Sequence, residues 1–387
     1  MSNTVTVDFF YRNELCEKLE LWMIMPPAIQ LNENNVKPDQ VTKIPTGEKL
    51  AYYILNEDQS FHLNYEVELY STKNEKKTLT DAERNFYLRN TILSPINAET
   101  TRLAKEITSQ QESNCEKARA IFHYIVDNYR YIYPPSSRGV NSFLEIKEGD
   151  CGEFSFLFTA LCRVLKIPAR TVVGSWAYGE MNAHVWNEFF IEDEGWISVD
   201  TSMAYIQKKQ PFRFFDSSLK TLYWKKYFGK TEGQRVVFSK DTEIELLPEY
   251  KNNEEAFTLN PILINGEPFC WGQQSLNGSA PYLQPIYVKY EQNDDLFPLI
   301  DTSHLFGTWK IREHGIKHFL ERPKVYLLFI GILIMVLNFI FQNFYLEVTY
   351  KMTFILFFLC FILRRERIII FSVFLSFMIL SLLSTLN

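Results

Sequence analysis

The chain has 387 residues, of which 47% are hydrophobic, 22% charged and 16% aromatic, with a formal net charge of −6 at pH 7. This composition is typical of folded domains and excludes disorder over any large part of the chain, and the length predicts two or three folded units. The acidic balance lacks the basic surface that binds nucleic acid, so we predict no nucleic-acid partner.

Residues 1–100 predict a β-rich N-terminal domain. Four stretches alternate apolar and polar residues and are separated by turn-forming residues: VTVDFFY, KLELWMIM, KLAYYIL and FHLNYEVELYS. We expect a β-sandwich or a sheet packed on its neighbour. The first residues show no basic region followed by an apolar core, so we expect no secretory signal.

The first strong helix pattern starts after residue 112. Ser113 and Glu116 have the spacing of a capping box, and an apolar stripe follows on one face. His123 lies beside that stripe, and we interpret it as a structural histidine.

The second helix pattern begins in the segment GDCGEFSFLFTALCRVLKIPAR. Asp150 is the expected N-cap and Glu153 the capping-box partner, which places Cys151 in the first turn. The helix should end before Pro168, and ARTVVGSWAY should form the next strand. Cys162, three turns further on, is expected to be a core residue.

A β-hairpin is predicted for HVWNEFFIEDEGWISVD, with its turn at residues 193–195. His184 and Asp200 fall on the two arms. Counting outwards from the turn makes them cross-strand neighbours or nearly so. Asp200 could alternatively be only a turn-forming residue before Thr201.

Cys151, His184 and Asp200 are the residue types of a thiol nucleophile, its base and the group that orients the base. The helix N-terminus should lower the pKa of the thiol, and a carboxylate should fix the tautomer of the imidazole. The expected reaction is attack on an amide carbonyl to give an acyl-thioester. Resolution by water or by a second amine stays open at this point.

Residues 211–320 contain short strand patterns and are expected to be a β-rich extension that covers the core. Residues 325–387 are different, because Val325–Leu346 and Ile368–Asn387 carry no charge and are long enough to cross a bilayer core of about 30 Å. A third apolar run reaches the required length if it starts at Tyr345 and Lys351 extends to the interface.

We therefore predict three membrane helices, at about 325–346, 345–363 and 368–386. Two spans with an interfacial middle segment, or a pair of buried core helices, are the alternatives. Basic residues flank the first span and the last turn, namely Lys317, Arg322, Lys324, Arg364, Arg365 and Arg367. Because basic flanks stay in the cytoplasm, we predict an integral membrane protein whose N-terminal body is cytoplasmic.

Three segments together resemble the transglutaminase-like superfamily: GDCGEFSFLFTALCRVLKIPAR, AHVWNEFF and GWISVDTS. The resemblance covers roughly residues 100–205. It implies an α+β fold with a papain-like core at 101–210 and β-rich flanking regions, to which the apolar runs of this chain add C-terminal transmembrane helices. It also implies that Cys151 is the nucleophile, His184 the base and Asp200 the orienting carboxylate, with Trp186 and Glu188 at the usual aromatic and acidic positions.

The implied activity is that of a thiol hydrolase or acyltransferase on a protein or peptide substrate. The six cysteines show no metal-ligand spacing and no calcium loop is present, so we predict no metal and no cofactor. Trp176 and Trp196 could line a channel or simply pack.

A non-catalytic membrane scaffold is the alternative function. A transporter is disfavoured, since only Asn338 is polar enough within the apolar runs. The oligomeric state stays open.

Overall fold

In the computed structural model, the described residues are 4–14, 16–26, 37–70, 78–211, 213–214, 219–254, 256, 261–290, 305–313, 319–364 and 368–386. Contacts divide the chain into two compact units. The first comprises residues 1–215 and 221–311, and the second comprises residues 216–220 and 312–387.

The strands of the described residues are β1 Thr4–Arg12, β2 Lys18–Ile24, β3 Gln40–Lys43, β4 Lys49–Asn56, β5 Ser60–Glu68, β6 Arg130–Tyr131, β7 Glu148–Gly149, β8 Ala169–Trp176, β9 Gly179–Glu180, β10 Ala183–Ile191, β11 Gly195–Val199, β12 Arg235–Ser239, β13 Ile244–Glu245, β14 Ile262–Ile264, β15 Glu267–Phe269, β16 Ser279–Ala280, β17 Ile286–Tyr290 and β18 Thr308–Glu313.

The helices are α1 Asp81–Tyr87, α2 Ala98–Ile107, α3 Asn114–Asn128, α4 Val140–Ile146, α5 Cys151–Val164, α6 Thr201–Lys209, α7 Glu321–Phe341, α8 Phe344–Leu363 and α9 Ile368–Leu386, with a 3₁₀ turn at Trp224–Tyr227. Helices and strands are thus mixed as an α+β fold requires, and the predicted fold class is confirmed.

Two four-stranded sheets pack against each other and share one hydrophobic core. Their strand orders are β5-β1-β18-β9 and β17-β2-β4-β3. The inward residues alternate along each strand, as Val5, Val7 and Phe9 do on β1, and all three are at most 1% exposed. Both sheets combine strands from the two ends of the first unit, since β17 pairs with β2 and β18 lies beside β1.

A third sheet, of order β11-β10-β8-β12, carries the helices that surround α5. Helix α5 packs on β10 and β8, and α2, α3 and α6 contact α5 in turn. Every residue of α5 from Gly152 to Arg163 is buried. A helix enclosed in this way has its first turn fixed by the whole core, which is what a positioned nucleophile requires.

The local sequence signals proved reliable here. The predicted capping boxes at Ser113 and Asp150 are both confirmed, and the predicted hairpin turns between Ile191 and Gly195. Helices α1 and α2 were not predicted, because α1 is short and α2 has a low apolar content. Asp200 lies one residue beyond the end of β11 and is the N-cap of α6, so it is not a strand residue.

The second unit contains the apolar helices α7, α8 and α9, and α8 packs against the other two. Two of them, Pro323–Phe341 and Phe344–Leu363, are long enough and apolar enough to span a membrane, whereas the apolar part of the third is shorter, at Ile370–Leu386. The alternative prediction of two spans made the middle apolar segment the one that does not cross the membrane. In the structure, the shorter apolar helix is the last one, Ile370–Leu386.

Lys351 on α8 is paired within this helical unit. Its ammonium donates to Glu347 Oε1 at 2.7 Å and to Thr385 Oγ1 at 2.5 Å, and Thr385 lies on α9. The side chain is only 8% exposed. The Lys351 charge is therefore matched by polar partners on α8 and α9.

Candidate active site

Cys151 is the first residue of α5, and the capping groups of that helix surround it. The Asp150 side chain accepts from the Gly152 N–H at 2.7 Å, and the Asp150 N–H donates to Glu153 at 3.2 Å. Arg138 donates to Asp150 at 2.9 Å and thereby neutralises part of this acidic corner. The cap fixes the backbone of the first turn, and with it the direction of the Cys151 side chain.

The Cys151 thiol lies against strand β10. The Val185 backbone N–H hydrogen-bonds to the sulfur, and Val185 is the residue directly after His184. Burial, followed by the Asp150 carboxylate, raises the pKa of the Cys151 thiol well above its usual value, although the Val185 N–H and Arg138 oppose the shift. The net shift is thus upward, opposite to the lowering that the helix N-terminus alone predicts, and desolvation is its largest cause.

His184 lies on β10 opposite Gly174 of β8 and is only 5% exposed. Its Nε2 atom is 2.8 Å from Asp200 Oδ2. The Trp176 ring stacks on the imidazole, with a centroid distance of 4.2 Å and an interplanar angle of 17°. The carboxylate engages Nε2, and together with the stacked ring it fixes the imidazole plane.

Asp200 is 1% exposed and has three hydrogen-bond partners, Met203, Ser202 and His184, and an ion pair with Arg235. Oδ1 accepts from the Met203 N–H and the Ser202 hydroxyl, both at 2.8 Å, and Oδ2 faces His184 and Arg235. Burial by itself raises the pKa of Asp200, but Arg235 and then His184 outweigh it and hold the pKa well below its usual range. Asp200 is consequently a carboxylate at any pH at which the protein would act.

Asn187 connects the base strand to the nucleophile helix. Its side-chain N–H groups donate to the Ser155 carbonyl and to the Thr159 hydroxyl of α5, both at 2.9 Å. This buried contact links β10, three residues after His184, to α5. Sequence reasoning missed Asn187, although a polar residue within the apolar run VWNEFF was a visible signal.

The other predicted positions have structural roles. Glu188 accepts from Arg170 at 2.5 Å and from the Tyr70 hydroxyl at 2.6 Å. Trp196 packs on Tyr87 with a centroid distance of 4.7 Å and under the Arg170 guanidinium. Of the two candidate channel tryptophans, then, Trp176 contacts the candidate base and Trp196 does not.

Two further observations limit the chemistry. Cys162 is fully buried in α5, as predicted for a core cysteine. Within the described ranges, no group of three or more His, Cys, Asp or Glu side chains could hold a metal ion. The described groups around this site are the Cys151 thiol, which meets the Val185 N–H, and the His184 imidazole, whose Nε2 is paired with Asp200.

Residues 101–201 match the family model of the transglutaminase-like superfamily. This range begins in α2 and ends one residue after Asp200, so it contains Cys151, His184 and Asp200. This part of the chain is therefore similar to the transglutaminase-like superfamily, and the resemblance that the sequence motifs indicated is confirmed. No curated protein matches the chain.

The solved structures with partial similarity to the chain include the following three. Two of them carry protease in their names, and the third is a periplasmic domain. A candidate cysteine protease from Cytophaga hutchinsonii is 20% identical, with 51% of this chain and 75% of that chain covered and a TM-score of 0.37. The periplasmic domain of TgpA from Pseudomonas aeruginosa is 17% identical, with 52% and 75% covered and a TM-score of 0.33. A candidate protease from Parabacteroides distasonis is 12% identical, with 50% and 42% covered and a TM-score of 0.25.

Proposed function

We propose that this protein is a membrane-anchored thiol enzyme of the transglutaminase-like type, which attacks peptide or glutamine amides and forms an acyl-thioester on Cys151. The observation that carries the proposal is the hydrogen bond between His184 Nε2 and Asp200. The residue after His184, Val185, donates its backbone N–H to the Cys151 sulfur. The transglutaminase-like match over these residues supports the same reaction class.

The proposed reaction begins from a neutral thiol. The Cys151 sulfur attacks the amide carbon while its proton passes to Nδ1 of His184, and the carbonyl oxygen becomes an oxyanion beside the Cys151 N–H, one of the unpaired groups of the helix end. Collapse breaks the C–N bond, and the imidazole returns the proton to the leaving amine. Asp200 stays ionised throughout and stabilises the imidazolium.

The acyl-thioester is then resolved by water or by an amine. In either case, His184 accepts a proton from the incoming nucleophile and returns it to the sulfur as the thioester breaks. Water gives a carboxylic acid, which is a peptidase or amidase reaction. A primary amine gives a new amide, which is a cross-linking reaction.

Trapping the acyl-enzyme tests this proposal. The full chain in detergent is incubated with a mixed peptide library, quenched in acid, and examined by mass spectrometry for an acyl adduct on the Cys151 peptide. We expect an adduct in the wild type and in Cys115→Ala, a matched change of a partly buried free cysteine, and its loss in Cys151→Ala. An isotope-labelled primary amine, added in parallel, distinguishes transfer from hydrolysis.

Equal acylation of the wild type and Cys151→Ala would contradict the proposal. A complete absence of adducts, together with a partner that binds the wild type and Cys151→Ala equally, would favour the non-catalytic scaffold instead.

We further propose that the apolar helices anchor the protein with the N-terminal body in the cytoplasm. Lys324, at the start of α7, lies over the Phe361 ring near the end of α8 at 4.9 Å, so the basic flanks of the first two helices lie at one end of the pair. The other predicted flank residues, Lys317 and 365–367, lie outside the described residues, and of Arg322 only the backbone is described. Basic flanks at one end of a helix pair favour the cytoplasmic side.

Protease treatment of sealed membranes of known orientation tests this topology. In right-side-out membranes we expect the N-terminal body to survive intact, and to be digested only after the membranes are permeabilised. A periplasmic or extracellular control protein must be digested in the same sample. Digestion of the body from outside without permeabilisation would contradict the assignment.

A further inference from the structure

Arg235 is a buried cation that bridges two buried carboxylates beside the candidate site. It is the first residue of β12 and is 0% exposed. Its Nε and Nη2 atoms donate to the two oxygens of Glu232, both at 2.8 Å, and Nη2 also lies 2.8 Å from Asp200 Oδ2. The planar fork of the guanidinium is therefore fixed by Glu232 while it contacts the oxygen that faces His184.

Two tryptophans enclose this guanidinium. Its central carbon lies 4.8 Å from the centroid of Trp176 and 5.0 Å from that of Trp186. Nη1 has no hydrogen-bond partner within the described part of the chain, and the aromatic faces are the groups that stabilise its charge. Trp176 is also the ring that stacks on His184, so one side chain packs against both the cation and the candidate base.

We propose that Arg235 is a positioning residue for the thiol chemistry described above, and that it keeps Asp200 a carboxylate with Oδ2 directed at His184. This inference rests on the proposed function. It extends the Cys151–His184–Asp200 set by a residue that acts only through Asp200.

The physical argument concerns the two carboxylates. Asp200 and Glu232 are buried and share Arg235, so removal of the cation leaves two like charges close together in a poorly hydrated site. One of them would then take up a proton. Because Oδ1 accepts from Ser202 and Met203, the proton would go to Oδ2, which then donates toward His184 Nε2, and the imidazole loses the acceptor that fixes its tautomer.

The titratable and charged groups that face Asp200 come from several elements. They are His184 on β10, Arg235 on β12, Glu232 before β12, Cys151 on α5, Tyr131 on β6 and Tyr227 in the 3₁₀ turn. Arg235 is the nearest permanent cation among them. Its removal should consequently change the protonation of Asp200 more than any other single change in this set.

The test follows the alkylation of Cys151 by iodoacetamide against pH, in the full chain in detergent, with the modified peptide quantified by mass spectrometry. The primary variant is the double change Arg235→Met with Glu232→Leu, because a buried ion pair replaced by apolar groups usually allows folding. In this variant the like charge of Glu232 is gone, but Asp200 still loses the cation 2.8 Å from its Oδ2, so the burial that raises its pKa is less opposed. We expect the acid limb of the rate profile to move to higher pH by about one unit or more. Arg235→Lys, which keeps the charge, should shift the limb less.

Arg163→Met is the matched control. Arg163 is also a fully buried arginine with a buried carboxylate partner, Asp241, but it has no contact with Asp200. It should destabilise the fold without moving the acid limb. A profile that stays in place in the double variant, or that moves equally in Arg163→Met, would overturn the proposal.

Iodoacetamide needs no turnover, so the two proposals can fail separately. If Cys151 in the wild type reacts no faster than Cys115, the proposed thiol function fails. If Cys151 is reactive in the wild type and its pH profile is unchanged in the double variant, only the role of Arg235 fails.

Discussion

Asp200→Asn is expected to lower the rate of Cys151 acylation by about 10³–10⁴-fold, with a protein that still folds. The reason lies in the helix cap. Oδ1 of residue 200 must continue to accept from the Met203 N–H and the Ser202 hydroxyl, which lie 2.8 Å away. The new amide NH₂ then occupies the place of Oδ2 and faces two donors, His184 Nε2–H and Arg235.

The imidazole can relieve this conflict only by moving its proton to Nδ1, which removes the acceptor from the side of the thiol. The measurement is the acylation rate of the Cys151 peptide under the trapping conditions described above. Asp127→Asn, a change at an exposed partner of Lys208, is the control and should keep the wild-type rate. An Asp200→Asn rate within about threefold of the wild type would mean that Asp200 does not orient the base.

The same carboxylate also makes a pH-dependent contribution to stability. Because the folded-state pKa of Asp200 lies well below the ordinary value of 3.8, its contribution is fully present above that value and is lost as the pH falls toward the folded-state pKa. The difference in unfolding free energy between the wild type and Asp200→Asn should therefore shrink in strong acid.

Asp241→Ala is expected to destabilise the first unit by about 3–5 kcal/mol, the usual effect of removing one partner from a buried ion pair. Asp241 is 0% exposed, and its Oδ2 accepts from Arg163 and Arg89, both at 2.7 Å. Oδ1 accepts from the N–H groups of Thr171 and Thr242. Burial alone raises the pKa of Asp241, but the charges of Arg163 and then Arg89 outweigh it and lower the pKa.

Without this carboxylate, two guanidinium groups remain close together at the end of α5. Thermal unfolding followed by tryptophan fluorescence measures the effect on the first unit, because all seven tryptophans precede residue 312. Asp58→Ala, which removes a 72% exposed partner of Arg12, is the control and should change stability by less than about 0.5 kcal/mol. A loss below about 1 kcal/mol in Asp241→Ala would show that the pair is not a main support of α5.

At this site, the sequence could predict only contacts between residues that are close together in the chain. The cap of α5 depends on residues three apart, and the hairpin depends on its turn, so both are visible in short segments. His184 and Asp200 follow from that hairpin. The contact between Arg235 and Asp200 could not be predicted in this way, because the two residues are 35 positions apart in the sequence. The same holds for Asp241 and Arg163, which are 78 positions apart.

Burial was the second quantity that the sequence could not supply. The sequence placed Cys151 correctly at the start of a helix but could not show how closely the neighbouring groups desolvate its thiol, which is the largest cause of the upward shift of its pKa. A similar limit applies to the sandwich. The alternating strands of residues 1–100 were visible, whereas the contributions of β17 and β18 depend on long-range pairing.

That long-range pairing bears on how the protein is made. β1 starts at Thr4, but its neighbour β18 ends only at Glu313, and the membrane-length helix α7 begins eight residues later at Glu321. Chains fold as they leave the ribosome, and strands synthesised early must wait for late partners. The sandwich can therefore close only when the first apolar helix is already being synthesised, so closure of the sandwich and synthesis of the apolar helices overlap in time.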